Sequence, residues 1–348
     1  MSLIGNLAGK IGWRERRSGV RVPTGGLEAL YSIGREPKRA AIKDVGPAGI
    51  CIATDDELPM GSKVEVTLRR TMTEEAEFGT RVSMPAQVVR VGKREIGLKF
   101  INEHIDSAEW PKLVMQAAHL SARNDGVRLF RLARVLAFLR RISPSAEAPL
   151  LEAIGGGMSH DGEDRALEIF LLAEDLLSSQ AQTPQRHVDT GLVQLIVDKG
   201  VNLDTFEMDI AHFWAGLLAS STLEGTDDEE SGNFARLLSK VDVAPMRILA
   251  AACEKAMRSG WDVGFVFREK VECDANEIKK IVGTRNVTAV DRGIDSLRKL
   301  GLLRYAEGAP IFEDEIDVTP TGLGLRLYAR CTGRLDVPDA RAGGGSAS

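Results

Sequence analysis

The sequence lacks most of the motifs that mark enzymes and metal sites. Its five histidines are scattered and form no HExxH motif, and its four cysteines show no CxxC spacing. It also contains no GxSxG motif, no phosphate-binding P-loop and no paired carboxylates on a predicted cleft. We therefore expect neither an enzyme nor a protein with a metal or cofactor.

Long apolar runs are absent as well. The amino terminus lacks the apolar core of a signal peptide, and no later segment is long and apolar enough to cross a bilayer. Cys51, Cys253, Cys273 and Cys331 all lie in apolar contexts, which favours reduced, buried thiols over disulfides. These features predict a cytoplasmic protein without a membrane span.

Charge is unevenly distributed along the 348 residues. Residues 1–101 contain 17 Lys and Arg against 12 Asp and Glu, whereas the remainder contains 28 against 38. A positive module joined to an acidic body is the pattern expected of an anion receptor, although chance patchiness gives the same counts.

Hydrophobic periodicity divides the chain into a β part and an α part. Apolar and polar residues alternate at Leu27–Tyr31, Val64–Leu68 and Ile96–Phe100, with turn residues between these stretches. This pattern predicts an antiparallel sheet closed on itself. After Asn102 the apolar spacing becomes helical. The predicted fold class is multidomain β plus α, with an amino-terminal antiparallel β-barrel and an all-helical carboxyl-terminal region.

Two short motifs lie at the start of the predicted barrel. Arg17 and Arg21 are separated by three residues before the first strand, and guanidinium groups suit both phosphates and the O6/N7 edge of guanine. In the second motif Asp44 supplies an acceptor, and Gly46 and Gly49 can adopt positive φ and let a ligand approach the backbone. Together the motifs suit a small ligand with phosphates and guanine edges.

These motifs, the strand series and the phrase Val88–Phe100 resemble the PilZ domain over residues 14–105. That family is a small β-barrel, and many members are receptors for the bacterial second messenger cyclic di-GMP. Its signatures are RxxxR, which is intact here, and D/NxSxxG, in which Gly46 replaces the usual serine. The missing hydroxyl is expected to lower affinity without abolishing binding. The resemblance implies the ligand-binding residues Arg17, Arg21, Asp44, Gly46 and Gly49.

A basic amphipathic helix is predicted at 127–141, with arginines at 128, 131, 134, 140 and 141. Such a helix could lie on a membrane or a nucleic acid. A packed helix with a solvated arginine face is the preferred interpretation. The acidic stretch Gly225–Gly232 is interpreted as a solvated linker, since its carboxylates lack calcium-loop spacing.

The pattern from Val243 onward resembles a winged-helix domain: three helices, a two-stranded wing formed by Leu302–Tyr305 with Ile311–Val318, and a final helix. The helical region is also diffusely similar to the abortive-infection alpha family of helical modules. In a DNA complex the third helix would present Arg292, Arg298 and Lys299. The near balance of 15 basic and 13 acidic residues over 243–334 makes DNA binding possible but not favoured.

The sequence therefore predicts five regions with separate roles. They are an arm (1–13), the barrel (14–105), a helical domain (106–242), a winged-helix-like domain (243–334) and a flexible tail (335–348). We expect a cyclic di-GMP receptor that relays its signal to a protein partner through the helical region. Two alternatives stay open: a degenerate barrel that serves only protein contacts, and a ligand-regulated winged-helix protein that binds DNA.

Overall fold

The computed structural model describes the barrel and the helices in twelve segments. They are residues 24–32, 36–71, 80–101, 109–120, 126–143, 145–180, 187–202, 208–223, 228–258, 270–283, 286–305 and 315–333. Arg17 and Arg21, the predicted arm 1–13 and the predicted tail 335–348 lie outside these segments.

Six antiparallel strands close into a barrel in the first part of the chain. They are β1 (Leu27–Ser32), β2 (Pro37–Gly46), β3 (Gly49–Ala53), β4 (Lys63–Arg70), β5 (Arg81–Gly92) and β6 (Glu95–Phe100), in the spatial order β1-β2-β3-β6-β5-β4. Alternate side chains such as Ala29, Tyr31, Val66, Ile96 and Leu98 are buried inside. The predicted barrel is confirmed, because alternation is the pattern that one buried sheet face requires.

One end of the barrel brings together three parts of the chain. Because β1 and β2 are antiparallel, the start of β1 at Leu27 lies at the same end as the β2–β3 turn. The end of β6 reaches the same place, where the Phe100 N–H donates to the Ala48 carbonyl at 3.0 Å. The start of β1, the β2–β3 turn and the exit from β6 therefore lie at the same end of the barrel.

The described residues after the barrel form eleven helices and one short two-stranded sheet. The helices are α1 (Trp110–Leu120), α2 (Gly126–Ile142), α3 (Glu147–Gly155), α4 (His160–Ser179), α5 (Thr190–Asn202), α6 (Met208–Ser221), α7 (Asp228–Leu238), α8 (Val243–Arg258), α9 (Ala275–Val282), α10 (Val287–Lys299) and α11 (Gly322–Cys331). α4 packs against α2, α5 and α6, and α6 also contacts α8 and α11. The barrel joins this core where the rings of Phe100 and Phe130 pack edge to face, with their centroids 5.2 Å apart.

The arginines of α2 lie in a different environment from the predicted one. Arg128 is 6% exposed and Arg131 is 2% exposed. Arg128 forms a two-pronged ion pair with Glu163 of α4, in which Nε donates to Oε1 at 2.7 Å. The prediction of a solvated arginine face is wrong for this part of α2, because α4 supplies carboxylates where solvent was expected.

α2 also covers an open strand edge of the barrel. β5 pairs with β4 along its first half and with β6 along its second half. On the first half, the carbonyls of Arg81 and Ser83 accept hydrogen bonds from Arg131 at 3.2 Å and from Arg134 at 3.0 Å. Pro85 lies on the same edge, where a residue without an N–H leaves no donor unpaired.

The acidic stretch before residue 232 is partly helical. Asp228, Glu229 and Glu230 form the first turn of α7, and Glu230 pairs with Arg326 of α11 at 3.1 Å. Carboxylates are favourable at this position because the amino-terminal end of a helix carries partial positive charge. The interpretation as a linker is wrong for these residues because they are helical, but Asp228 and Glu229 are exposed to solvent as expected.

The last described segments run in the order α8, β7 (Glu272–Asp274), α9, α10, β8 (Glu315–Asp317) and α11. β8 pairs with β7, and Leu303 forms an isolated bridge with Pro320. The sequence did not predict β7 as the partner of β8, since it lies about 40 residues away along the chain. The winged-helix resemblance stays a prediction.

Candidate functional site

The outer face of the barrel brings the second motif together with residues from later strands. Cross-strand register places Asp44 opposite Cys51, Cys51 opposite Gly97, and Gly97 opposite Arg90. We call these four residues the Asp44–Arg90 row. Residues directly opposite one another lie on one face of the sheet with about 5 Å between neighbours. The row therefore has a charged residue at each end, Asp44 and Arg90, and two small residues, Cys51 and Gly97, between them.

A second row lies nearer the β2–β3 turn, where Gly46 pairs with Gly49 and Gly49 pairs with Lys99. A Cβ on Gly49 would collide with the Leu98 carbonyl, whereas a Cβ on Gly46 would meet nothing within 4 Å. Neither glycine has the positive φ that the sequence suggested. Gly49 is required instead because the β3 and β6 backbones approach closely, and Gly46 leaves open space on the face.

Two β-bulges turn Asp44 and Arg90 outward. The register shifts between Ile42 and Asp44 in β2, and between Val88 and Arg90 in β5. Ile42 and Val88 pack toward the core, so strict alternation would point Asp44 and Arg90 inward too. The extra residue of each bulge reverses the inward and outward alternation of the side chains that follow it. Bulges are common where a strand directs a side chain to a functional site.

Charge on this face is concentrated around Glu95. Arg90 Nη2 donates to Glu95 Oε1 at 2.8 Å and lies 3.4 Å from Cys51 Sγ. Lys43 Nζ donates to Glu95 Oε2 at 2.9 Å. The Lys43 hydrogen bond and charge, assisted by Arg90, hold the pKa of Glu95 below its usual value. Two cations therefore share one carboxylate, which leaves positive charge available to an anionic ligand.

Of the five predicted ligand-binding residues, the structure places Asp44, Gly46 and Gly49 together on the outer face. Arg17 and Arg21 lie outside the described residues, but the chain limits their distance from Thr24, which precedes β1. At about 3.5 Å per extended residue, the Cα atom of Arg21 lies within about 11 Å of Thr24 and that of Arg17 within about 25 Å. Both arginines precede the strand that begins at the β2–β3 end of the barrel.

Sequence reasoning missed Arg90 and Cys51 as members of the face. Cys51 was expected to be buried like the other cysteines, but it is half-buried on the outer side of β3. Cys253, Cys273 and Cys331 are buried free thiols, as predicted, and burial raises the pKa of Cys253 and Cys331. The signal in the sequence was Gly97, because a small residue opposite Arg90 leaves room for the arginine side chain. This signal can be interpreted only when the register of β5 and β6 is known.

The helix that was predicted to face DNA presents a mixed surface. Arg298 of α10 is turned toward β8, where its Nη2 donates to the Asp317 carbonyl at 3.0 Å. The exposed residues of this helix include Arg292 and Lys299 but also Asp295. The prediction that Arg298 would be presented to DNA is therefore wrong.

Two further properties of the described residues bear on function. No helix among them is both long enough and apolar enough to span a membrane. They also contain no cluster of three or more His, Cys, Asp or Glu side chains that could hold a metal ion.

Comparison with known proteins identifies the barrel. Residues 15–112 match the family model of the PilZ domain, which covers all six strands and the start of α1. This part of the chain is a PilZ domain, a family that includes cyclic di-GMP receptors. A solved structure of an uncharacterized Legionella protein, Lpg0364, is 14% identical over 29% of this chain and 95% of that chain, with a TM-score of 0.20. A comparison with curated proteins found no match.

Proposed function

We propose that this chain is a receptor for cyclic di-GMP, which binds between the outer face of the barrel and the segment that carries Arg17 and Arg21. The observation that carries the proposal is topological. The RxxxR segment joins the barrel at the end where Asp44 and the β2–β3 turn lie. The PilZ match over residues 15–112 supports the same class of ligand.

Each site residue has a distinct chemical role in this proposal. Arg17 and Arg21 donate charge-assisted hydrogen bonds to the phosphates and guanine edges. Asp44 accepts a hydrogen bond from a guanine N–H group. Gly46 and Gly49 leave the backbone of the turn open to the ligand. The positive charge near Glu95 favours the approach of the anionic dinucleotide.

Within this proposal α2 receives the signal from the barrel. The Ala48 carbonyl in the β2–β3 turn accepts from the Phe100 N–H, and the Phe100 ring packs on Phe130 of α2. α2 in turn pairs with α4, where Arg134 Nε donates to Glu174 at 2.7 Å. A ligand that fixes the turn can bias this path if the two states of α2 bind the ligand with different affinity. The helical region would then present the change to a protein partner.

Isothermal titration calorimetry of the full chain with cyclic di-GMP tests the binding proposal. We expect saturable binding that Arg17→Ala, Arg21→Ala and Asp44→Ala each weaken at least about tenfold, because each removes a charge-assisted hydrogen bond worth about 1.5–3 kcal/mol. Arg94→Ala is the matched control. Arg94 lies in the turn between β5 and β6 and is not a member of the Asp44–Arg90 row. Its side chain is 85% exposed and lies 3.5 Å from Asp55, so this variant should titrate like the wild type.

A weak signalling receptor has a Kd of roughly tens of micromolar. If binding does not saturate at such concentrations of cyclic di-GMP, the alternative of a degenerate barrel that serves only protein contacts is favoured. Retention of random duplex DNA at low salt, lost in Arg292→Ala, would instead favour the DNA-binding alternative.

Hydrogen exchange with and without the ligand tests the relay. We expect altered protection in the β2–β3 turn and in α2, whereas α9 and α10, which pack on α8, should not change. Phe130→Leu should bind cyclic di-GMP with unchanged affinity but show a smaller change in the hydrogen-exchange protection of α2. The reason is that leucine lacks the ring that packs on Phe100. Unaltered protection of α2 in the ligand-bound wild type would rule out this path.

A further inference from the structure

We infer that a cleft between α6, α8 and α9 binds a small organic cation, an alkylammonium or alkylguanidinium group on a short apolar chain. The cleft has a volume of about 460 Å³, which lies within the range of small-molecule sites in proteins. The inference is independent of the proposed function, because the residues that line the cleft all belong to these three helices.

α8 forms the floor of the cleft and places a charged residue at each end of it. Arg247 and Glu254 are seven residues apart, so they share one face of the helix and lie about 10.5 Å apart along its axis. Ala250 and Ala251 lie between them. Because alanine side chains are short, they leave an apolar space between the two charges, and Ile281 of α9 lines the same space.

The charge of the cleft is uncompensated at one end. Arg247 Nε donates to Asp209 Oδ2 at 2.6 Å, so the positive charge has a partner within the cleft. The Glu254 carboxylate accepts a hydrogen bond from the Tyr328 hydroxyl at 3.0 Å but has no cationic partner among the described residues. With His212 neutral, the lining has two carboxylates and one guanidinium, a net charge of −1. The cleft therefore favours a cation near Glu254.

Two aromatic residues complete the Glu254 end of the cleft. Tyr328 of α11 is 3% exposed, and its buried hydroxyl holds one oxygen of the Glu254 carboxylate in place. The Tyr328 ring packs on Phe213 of α6 with their centroids 6.3 Å apart, and the half-buried Phe213 lines the cleft. The face of an aromatic ring attracts cations. A carboxylate together with an aromatic ring therefore suits an ammonium or guanidinium group on an apolar chain.

His212 adds a second acceptor to the cleft. Its Nδ1 atom lies 2.9 Å from the Met208 carbonyl, and a carbonyl can only accept a hydrogen bond. Nδ1 therefore carries the hydrogen, which makes Nε2 of the neutral ring an acceptor. An ammonium group has three donors and no acceptor, so the lining offers it partners that an anion of the same size would not use.

Methyl NMR of the full chain, labelled at alanine and isoleucine methyl groups, tests the site. The probe is pentylamine, and pentanol and pentanoate are its neutral and anionic counterparts with the same chain length. We expect pentylamine to shift the signals of Ala250, Ala251 and Ile281 in a saturable way, with a Kd of about 1 mM. Pentanol and pentanoate should bind at least about fivefold more weakly, because neither provides a cationic donor for Glu254.

Two variants change the cleft itself, and the Ile281 signal reports binding in both. Glu254→Gln keeps the size of the side chain and removes its charge, so it should weaken pentylamine binding at least about fivefold. Ala250→Leu fills the floor of the cleft and should abolish binding. Glu152→Gln is the matched control, because it removes the same charge from an exposed residue of α3, outside the cleft, and should titrate like the wild type.

Three outcomes would overturn the inference. Equal affinities for pentylamine and pentanol would show an apolar cleft that does not recognise charge, and this comparison needs only the wild type. Unchanged binding in Glu254→Gln would remove the role of the carboxylate, provided that an unchanged urea midpoint confirms that the variant is folded. A wild type that shows no saturation at about 10 mM pentylamine would remove the site. None of these results bears on the binding of cyclic di-GMP.

Discussion

The barrel contacts its surroundings through arginines in two opposite environments. On α2, Arg128 and Arg131 are almost fully buried, and each forms an ion pair with a carboxylate of α4. We call these residues, with Arg134 and their partners, the α2–α4 ion-pair cluster. On the outer face, Arg90 is 61% exposed and shares the single carboxylate of Glu95 with Lys43.

These two environments show that the surroundings of an arginine decide its role. A guanidinium taken out of water must be compensated by partners, because the desolvation cost is several kcal/mol. Once Arg128 is paired with Glu163, its position is fixed and few donors remain for a ligand. An exposed guanidinium such as Arg90 keeps its water-facing donors and can exchange them for a ligand at low cost. The cluster therefore joins the barrel to the helices, and the outer face stays available.

Glu163→Ala should cause the largest loss of stability and tests the buried side of the comparison. The side chain of Glu163 is 1% exposed, and its removal leaves the Arg128 charge buried without compensation. We expect a loss of about 3–5 kcal/mol in the free energy of unfolding, measured by urea denaturation.

The double variant Arg128→Met/Glu163→Met is the control for this prediction. It should recover most of the lost stability, because an apolar pair in place of a buried ion pair is often neutral or stabilising. A single variant as stable as the wild type would mean that the pair is solvated.

Gly49→Ala and Gly46→Ala form a matched pair on the outer face. The new Cβ on Gly49 collides with the Leu98 carbonyl, so β3 and β6 must separate, and overpacking of this kind costs about 1–3 kcal/mol. The new Cβ on Gly46 meets open space, and that change should stay within about 0.5 kcal/mol of the wild type, as for other surface substitutions. Urea unfolding of both variants measures the difference, and equal stabilities would contradict the close approach of the two strands.

The barrel could be predicted from the sequence because strand alternation is a local property. Val64, Val66 and Leu68 show the buried face of β4 without reference to any other strand. The environment of α2 could not be predicted in the same way. Helical periodicity shows which residues share a face but not what packs against that face, and the partner of Arg128 lies 35 residues further along the chain.

The residues of the candidate site differ in the same way, because some belong to one local motif and one joins them only through strand pairing. Asp44 and Gly49 belong to a motif of six residues, so the sequence shows them together. Arg90 joins them through the register of β3, β6 and β5 and through a bulge that reverses the alternation after Val88. A pattern with a period of two predicts the opposite orientation for a residue beyond a bulge, and the position of the bulge depends on the pairing of whole strands.

Asp164→Asn tests the buried arginine environment through the pH dependence of stability. We expect a smaller effect than for Gly49→Ala. Asp164 is 8% exposed, its Oδ1 has no hydrogen-bond partner in the described part of the chain, and burial raises the pKa of the carboxyl against the opposing charge of Arg131. Because the folded-state pKa is raised, the contribution of Asp164 to stability is fully present below the unfolded-state pKa of about 4 and is lost as the pH rises through the folded-state value.

The uncharged variant should therefore be more stable than the wild type at pH 7, and its advantage should shrink as the pH falls toward about 4. Urea midpoints at a series of pH values measure this trend. An advantage that does not depend on pH would show that ionisation of Asp164 is not the cause.

Gly46→Ser should produce the smallest change and tests the exposed outer face of the barrel. The side chain at this position points to open space, and the backbone has no positive φ, so serine fits without strain. Its hydroxyl restores the residue that the PilZ signature usually has, and one added hydrogen bond of about 1 kcal/mol should raise the affinity for cyclic di-GMP about fivefold. Calorimetric titration measures the gain, and Gly46→Ala, which fills the same space without a hydroxyl, should show none. If serine and alanine gave equal affinities, the ligand would not reach this end of the face, and the contact surface would be confined to the Asp44–Arg90 row.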